Sequence, residues 1–350
     1  MKVLAFPAFK NKKSNPYNYL LYTGMKGADV SEFSFSEALK LNYDVIHIHW
    51  PEWYLNSNFL IKAFFYSFTL IFVLSYAKLF GKKIIWTVHN LKPHKVKYKV
   101  LNRVFWKLYI PLVDGIVSLS NTNEIVATEH FALPKKIKKT VVYHGLYSKI
   151  YENESSKYEA RNKLGICEDK RVFLFLGQIK KYKNLTELIN VFNESDKLKN
   201  DVLLIAGKFE SESYYQEVLT LKGSNENIII YNKFIEDSDL QYFFNASDLS
   251  ILPFKEIFNS GSALLSITFN TPVILPESNN FLEYGELFNK SIIHTYKNKI
   301  TADFIIEASD LYHLYFKKGG KYELPEKLDW SISQNKLVEF YFEVKQVKKL

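Results

Sequence analysis

Short, nearly continuous apolar runs alternate with stretches of helical spacing along most of the chain. KVLAFPAF, YDVIHIHW, KKIIWTVHN, DGIVSLS and KKTVVYHG come first, and RVFLFLGQI, DVLLIAGK, NIIIYNKF, LSILPF and PVILP follow after a break. Runs without polar alternation predict strands buried on both faces, hence parallel sheets covered by helices. The intervening spacing predicts helices over NPYNYLLYTGMKG, 57–80, 98–112 and 121–131, then 184–198, 211–222, 237–247 and 260–270. Two more are expected after about 302. The fold class is therefore α/β, with two doubly wound units in succession. LYSKIYENESSKYEARNK, 146–163, is weakly apolar and reads as the linker. The expected domains are 1–150 and 151–334, with a terminal helix at about 335–350 packing back on the first.

The chain has 350 residues, consistent with two domains, and 47% of them are hydrophobic, which excludes disorder as the main state. A single cysteine, Cys167, excludes an internal disulfide framework and a cysteine-based zinc site, and fits a reducing compartment. The first residues lack the pattern of a secretory signal. The net charge of +9 is unevenly placed: residues 1–150 hold 21 Lys/Arg against 8 Asp/Glu. That basic half suits an anionic membrane surface or a phosphate-bearing substrate. No nucleic-acid motif accompanies it, so nucleic acid is not an expected partner. The apolar run between Lys62 and Lys78 is shorter than the roughly 20 residues of a spanning helix. A core helix is expected there, with an interfacial helix as the alternative.

Ligands of open parallel sheets bind beyond the carboxyl ends of the strands. In the first unit those ends carry His47, His49, Trp50 and Glu52, then His89, Asn90, Lys92 and His94, then His144. His47 and His49 lie two apart in a strand and share a face. No carboxylate or cysteine completes a metal-ligand spacing there, so His47 reads as a core histidine and no metal is expected. His89 ends a buried strand ahead of a polar loop and is the first candidate for an active-site residue. In the second unit, GQIKKYKN sets Gly177 and Gln178 ahead of Lys180, Lys181 and Lys183, where lysines meet a helix N-terminus suited to an anion. KEIFNSGSALLSI sets Ser260, Gly261 and Ser262 at another such helix start.

These segments resemble the family-4-like glycosyltransferases of the GT-B fold. GQIKKYKN stands where that group carries G-R-L-x-x-x-K-G, with Gly177 and Lys183 matching, and Gln178 and Asn184 replacing the arginine and last glycine. DVLLIAGK supplies the family's next strand and its glycine, Gly207. The run from Phe234 through Leu240 and Ala246 to Asp248 matches the following segment, and PVILPESNNFLEYG carries the glutamate beyond its strand, Glu283. TVHN makes His89 the counterpart of the family's strand-end histidine, and HIHWPE with TVHNLKPH resembles a bacterial surface-polysaccharide subgroup. The retaining members' Glu-x7-Glu pair falls on Ile257, beside Glu256, and on Leu265, so retention or inversion stays open.

The resemblance implies two Rossmann-like domains facing a central cleft. It implies a hexosyl transfer from a nucleotide-diphosphate sugar to a hydroxyl of a glycan or lipid-linked acceptor, in capsule or exopolysaccharide synthesis. Gly177, Gln178, Lys180, Lys183, Gly207, Phe234, Ile235, Ser260, Gly261, Ser262 and Glu283 would bind the donor. His89, Glu52 and His94, in that order, are candidates for the base. No cofactor or metal is expected beyond the donor, and the expected location is the cytoplasm or the inner membrane face. A non-catalytic nucleotide-sugar-binding protein and a nucleotide-sugar epimerase on the same fold are the alternatives.

Overall fold

The computed structural model describes residues 1–13, 15–91, 96–148, 150–255, 259–288, 292–317 and 325–346. The chain divides into two units, Met1–Gly145 with Glu326–Leu350, and Leu146–Pro325. The first contains β1 (Lys2–Phe6), α1 (Tyr17–Tyr22), β2 (Asp29–Glu32), α2 (Phe35–Leu39), β3 (Val45–Ile48), α3 (Leu60–Leu79), β4 (Lys83–Thr87), α4 (Lys99–Tyr109), β5 (Gly115–Ser118), α5 (Asn121–His130) and β6 (Lys138–Val141). The second contains α6 (Lys157–Leu164), β7 (Val172–Leu176), α7 (Leu185–Glu194), β8 (Val202–Ala206), α8 (Glu212–Lys222), β9 (Ile228–Tyr231), α9 (Leu240–Ala246), β10 (Leu249–Ile251), α10 (Gly261–Thr268), β11 (Val273–Pro276), α11 (Asn279–Leu287), β12 (Ile293–Tyr296) and α12 (Ala302–Lys317). Helix α13 (Trp330–Gln346) returns to the first unit.

Each unit holds one six-stranded sheet, in the orders β2-β1-β3-β4-β5-β6 and β12-β11-β10-β7-β8-β9. Every ladder is parallel. The winding reverses between β1 and β3 in the first sheet and between β7 and β10 in the second. Such switch points are where these sheets open to ligands.

The continuous apolar runs have the expected cause. Phe173, Phe175, Leu203 and Ile205 pack on one face of the second sheet with Leu188 and Phe192 of α7. Val172, Leu174, Leu176, Leu204 and Ala206 pack on the other with Phe243 and Phe244 of α9. Successive strand residues thus enter two separate cores.

Three expectations need correction. The segment 146–163 is not a linker. Tyr147 is buried, and α6 begins with a Ser156–Glu159 capping box and ends at left-handed Gly165. Arg161 of α6 is buried against Asp248, with Nη2 to Oδ2 at 3.0 Å. The Asp248 carboxylate also accepts from the Val172 amide at 2.7 Å, which ties α6 to the start of β7. The unit boundary therefore falls at 145/146 rather than at 150/151. The returning segment begins at Glu326, ahead of the expected 335, because the Trp330 ring packs over Gly145.

Candidate functional site

In the second unit Gly177, Gly207, Lys183 and Ser262, four of the expected donor residues, come together beyond the ends of β7 and β8. Gly177 follows β7 with φ +130 and Gly207 follows β8 with φ +145, both in the region that favours glycine. A Cβ on Gly207 would lie 1.9 Å from the Gly177 carbonyl oxygen. The two turns are thus pressed together without side chains between them. Gly207→Ala is expected to cost roughly 1–3 kcal/mol of stability by overpacking and to weaken nucleotide binding, read by thermal melting and calorimetry.

Lys183 lies in the loop between β7 and α7, and its Nζ is 3.1 Å from the point where a Gly177 Cβ would sit. The Ser262 hydroxyl, in the first turn of α10, lies 3.5 Å from the same point. Ser260 caps α10, accepting from the Ala263 amide. The Gly261 position adjoins the Tyr147 hydroxyl. Lys183 is only 6% exposed, and among the described residues no carboxylate pairs with it. Burial, with Lys180 beside it, pushes its ammonium down to about 8. A buried ammonium beside a helix N-terminus, with no carboxylate paired to it among the described residues, is suited to an anion.

Asn184, which replaces the family's glycine, has φ +57 and precedes α7. Asparagine is among the non-glycine residues that best tolerate that conformation, so the substitution keeps the loop shape. Gln178 is exposed and Lys180 half-buried. Beyond β9, Ile235 is buried with Leu240 and Phe243, whereas the Phe234 ring is 61% exposed. Glu283 is half-buried on α11. Leu265 packs beside the second core, so that position serves packing. Glu256 and Ile257 lie outside the described residues.

In the first unit the strand ends converge on a buried histidine cluster. Tyr22 Oη lies 2.9 Å from His47 Nδ1 and 2.5 Å from His49 Nε2. His47 also meets Tyr341 of α13 at 2.7 Å and Thr87 at 2.8 Å. His49 Nδ1 lies 3.0 Å from His89 Nε2. The His89 ring stacks on Trp50, with centroids 4.1 Å apart. Tyr17 packs between His89 and His144. Burial holds His47 down to about 3 and His144 to about 4. Burial, with neighbouring imidazoles, holds His49 and His89 well below the usual range. All four rings are neutral at pH 7. Among the described residues no three His, Cys, Asp or Glu side chains converge as metal ligands.

Glu52 stands in the Pro51–Leu55 3-10 turn after β3 and is buried. Its carboxylate accepts from Asn90 at 3.3 Å, and burial raises it to about 7. His94 and Lys92 lie outside the described residues. The β1 loop shows why the two units differ. There the Ala8, Phe9 and Lys10 amides already donate to the Glu32 carboxylate. That anion-binding loop is filled from within the chain, whereas in the β7 loop of the second unit no described carboxylate pairs with Lys183.

Residues 156–309 match the family model described as "Glycosyl transferases group 1". The chain is 24% identical over 293 residues to a GDP-mannose:glycolipid 4-beta-D-mannosyltransferase of Xanthomonas campestris pv. campestris, covering 83% of this chain and 78% of that one. It is 27% identical over 215 residues to the alpha-monoglucosyldiacylglycerol synthase of Streptococcus pneumoniae, covering 57% and 45%. Among solved structures it resembles a glycosyltransferase of Rickettsia africae, with TM-score 0.62, 14% identity and 99% of each chain covered. It also resembles Anabaena HepE in complex with UDP-glucose, with TM-score 0.60, 13% identity, and 99% and 97% covered. Residues 156–309 of the second unit thus match the group 1 glycosyltransferase model, and the chain shares the fold of the glycosyltransferase structures it resembles.

Proposed function

We propose that the protein transfers a hexosyl group from a nucleotide-diphosphate sugar to a hydroxyl of a glycolipid or lipid-linked glycan. The observation that carries this reading is Lys183, a buried ammonium without a described counter-charge beside the first turn of α10. The acceptor specified by name in the mannosyltransferase relative, a glycolipid, supports the acceptor class.

The acceptor O–H loses its proton as its oxygen attacks the anomeric carbon, and Glu52 is the first unit's candidate for the base that takes it. The bond from that carbon to the diphosphate oxygen breaks, and negative charge gathers on the diphosphate. Lys183, the Ser262 hydroxyl and the α10 amides stabilise that charge, and fixed donors of this kind are often the largest catalytic contribution. In this reading Lys183, not a divalent cation, balances the leaving group. The exposed Phe234 ring and the backbone at Ile235 adjoin the nucleobase, and Glu283 contacts the sugar. Glu52 takes precedence over His89 as base because its proton affinity is matched to neutral pH. His89 serves as a neutral hydrogen-bonding group. With Leu265 at the second position of the glutamate pair, single displacement with inversion is favoured.

The first unit carries the acceptor to the enzyme by lying on an anionic membrane. Helix α3 buries Ala63, Ser67, Leu70, Leu74 and Ala77 and leaves Ile61 79% and Phe65 70% exposed, among basic residues. It is long and apolar enough to cross a membrane, by length and composition alone.

A thermal-shift series with nucleoside diphosphates and nucleotide sugars tests the donor class. A cognate ligand at 100 times its dissociation constant is expected to stabilise the protein by about 2.7 kcal/mol. No shift with any of them would overturn the reading.

A further inference from the structure

The outer face of α4 carries a feature that the transfer chemistry does not use. Leu101, Phe105 and Tyr109 form its buried stripe. Val100, Val104 and Leu108, each one position earlier, form an exposed apolar stripe, with Val100 77% exposed. Lys99, Arg103 and Lys107 run beside that stripe at the same four-residue spacing. Beyond them opens a groove of about 680 Å³, walled by these three cations with Trp106, His130 and Phe131. Among the described residues no carboxylate lines the groove, and none pairs with Lys99, Arg103 or Lys107.

Around the helix the order is exposed apolar, cationic, then groove. That is the order of a membrane edge: acyl boundary, phosphate plane, headgroup. Half-buried Trp106 stands on the groove side, where an indole meets both apolar and polar surroundings. Helix α3 packs against α4 and adds its own exposed apolar side chains to the same unit. We propose that the α4 groove binds the phosphate-bearing headgroup of an anionic lipid, with Arg103 and Lys107 on the phosphate. The proposal rests on the membrane reading above and makes it site-specific: one headgroup is held, beyond a general attraction to a charged surface.

The test uses the full chain with phosphatidylcholine vesicles, with and without phosphatidylglycerol, read by co-sedimentation and by the emission lost on Trp106→Phe. Wild-type protein is expected to partition onto phosphatidylglycerol vesicles with a blue shift that Trp106→Phe removes. Each cation near such a surface is worth roughly fivefold in partitioning. Arg103→Glu with Lys107→Glu is thus expected to cost about 30-fold or more and to abolish the blue shift. Both side chains are exposed, so the melting temperature should hold. Phe65→Ser, on α3, should weaken vesicle binding while keeping the blue shift of the protein that still binds. Wild-type protein that ignores all vesicles would sink the membrane reading itself. A charge-reversed variant that binds vesicles with the wild-type blue shift would overturn the groove alone. A blue shift saturated equally well by soluble glycerol phosphate would overturn the lipid as its source and leave a free-anion site.

Discussion

Glu52→Gln is expected to lower kcat by about 10²–10⁴, the usual range for a lost general base, with donor affinity essentially unchanged. Wild-type turnover should rise with pH through about 7, where burial has brought the carboxyl, and the variant should lose that limb. The stability consequence has its own sign. Between 4.5 and about 7 the folded state holds the Glu52 proton more tightly than the unfolded chain, so folding stability falls as pH rises through that window. Glu52→Gln should therefore stabilise the protein at pH 8 and change little at pH 4. A residue whose removal firms the fold and halts turnover is serving chemistry. His89→Ala is the counterpart. Its ring is neutral and buried, with Nε2 at 3.0 Å from His49, so the expected loss is smaller and appears partly in KM. A loss in His89→Ala equal to that in Glu52→Gln, together with the vanished acid limb, would move the base to His89.

Lys183→Met should weaken nucleoside-diphosphate binding by about ten- to a hundredfold, the worth of a charge-assisted contact. The methionine keeps the buried stem and its packing beside Phe254. Calorimetry reads the affinity, and unchanged affinity would refute the site. Without donor the variant should melt higher than wild type, because the fold no longer buries an ammonium. Wild-type stability should rise as pH climbs from about 8 toward 10.5, where only the unfolded chain still holds the proton. Donor affinity should fall over the same climb, as Lys183 loses the charge that attracts the diphosphate. These opposed trends separate an anion site from a lysine that merely packs.

The strand pattern was most legible where both faces of a strand are buried. VFLFL and VLLIA could be read at once because every residue enters a core. The two strands missed, β2 with DVSE and β12 with IHTY, lie at sheet edges, where fewer neighbours demand apolar residues. Helix α6 was legible in principle, since Ser156, Glu159 and Gly165 mark both its ends, but its polar surface resembled a linker. In the site, Gly177 and Lys183 stood out through their spacing after a strand. Glu52 was read as a base candidate but ranked after His89, because its raised proton affinity comes from burial that only the fold creates. Nor did the sequence bring Tyr341 to His47, residues 294 positions apart.

That last contact has a consequence for how the protein is made. Phe340 and Val344 of α13 close over Gly115, and Tyr341 completes the hydrogen bonds of His47. All of the second unit, Leu146–Pro325, leaves the ribosome before α13 does. The second unit is thus synthesised while His47 of the first still lacks one of its partners. The histidine cluster of the first unit is therefore complete only after α13 has been made.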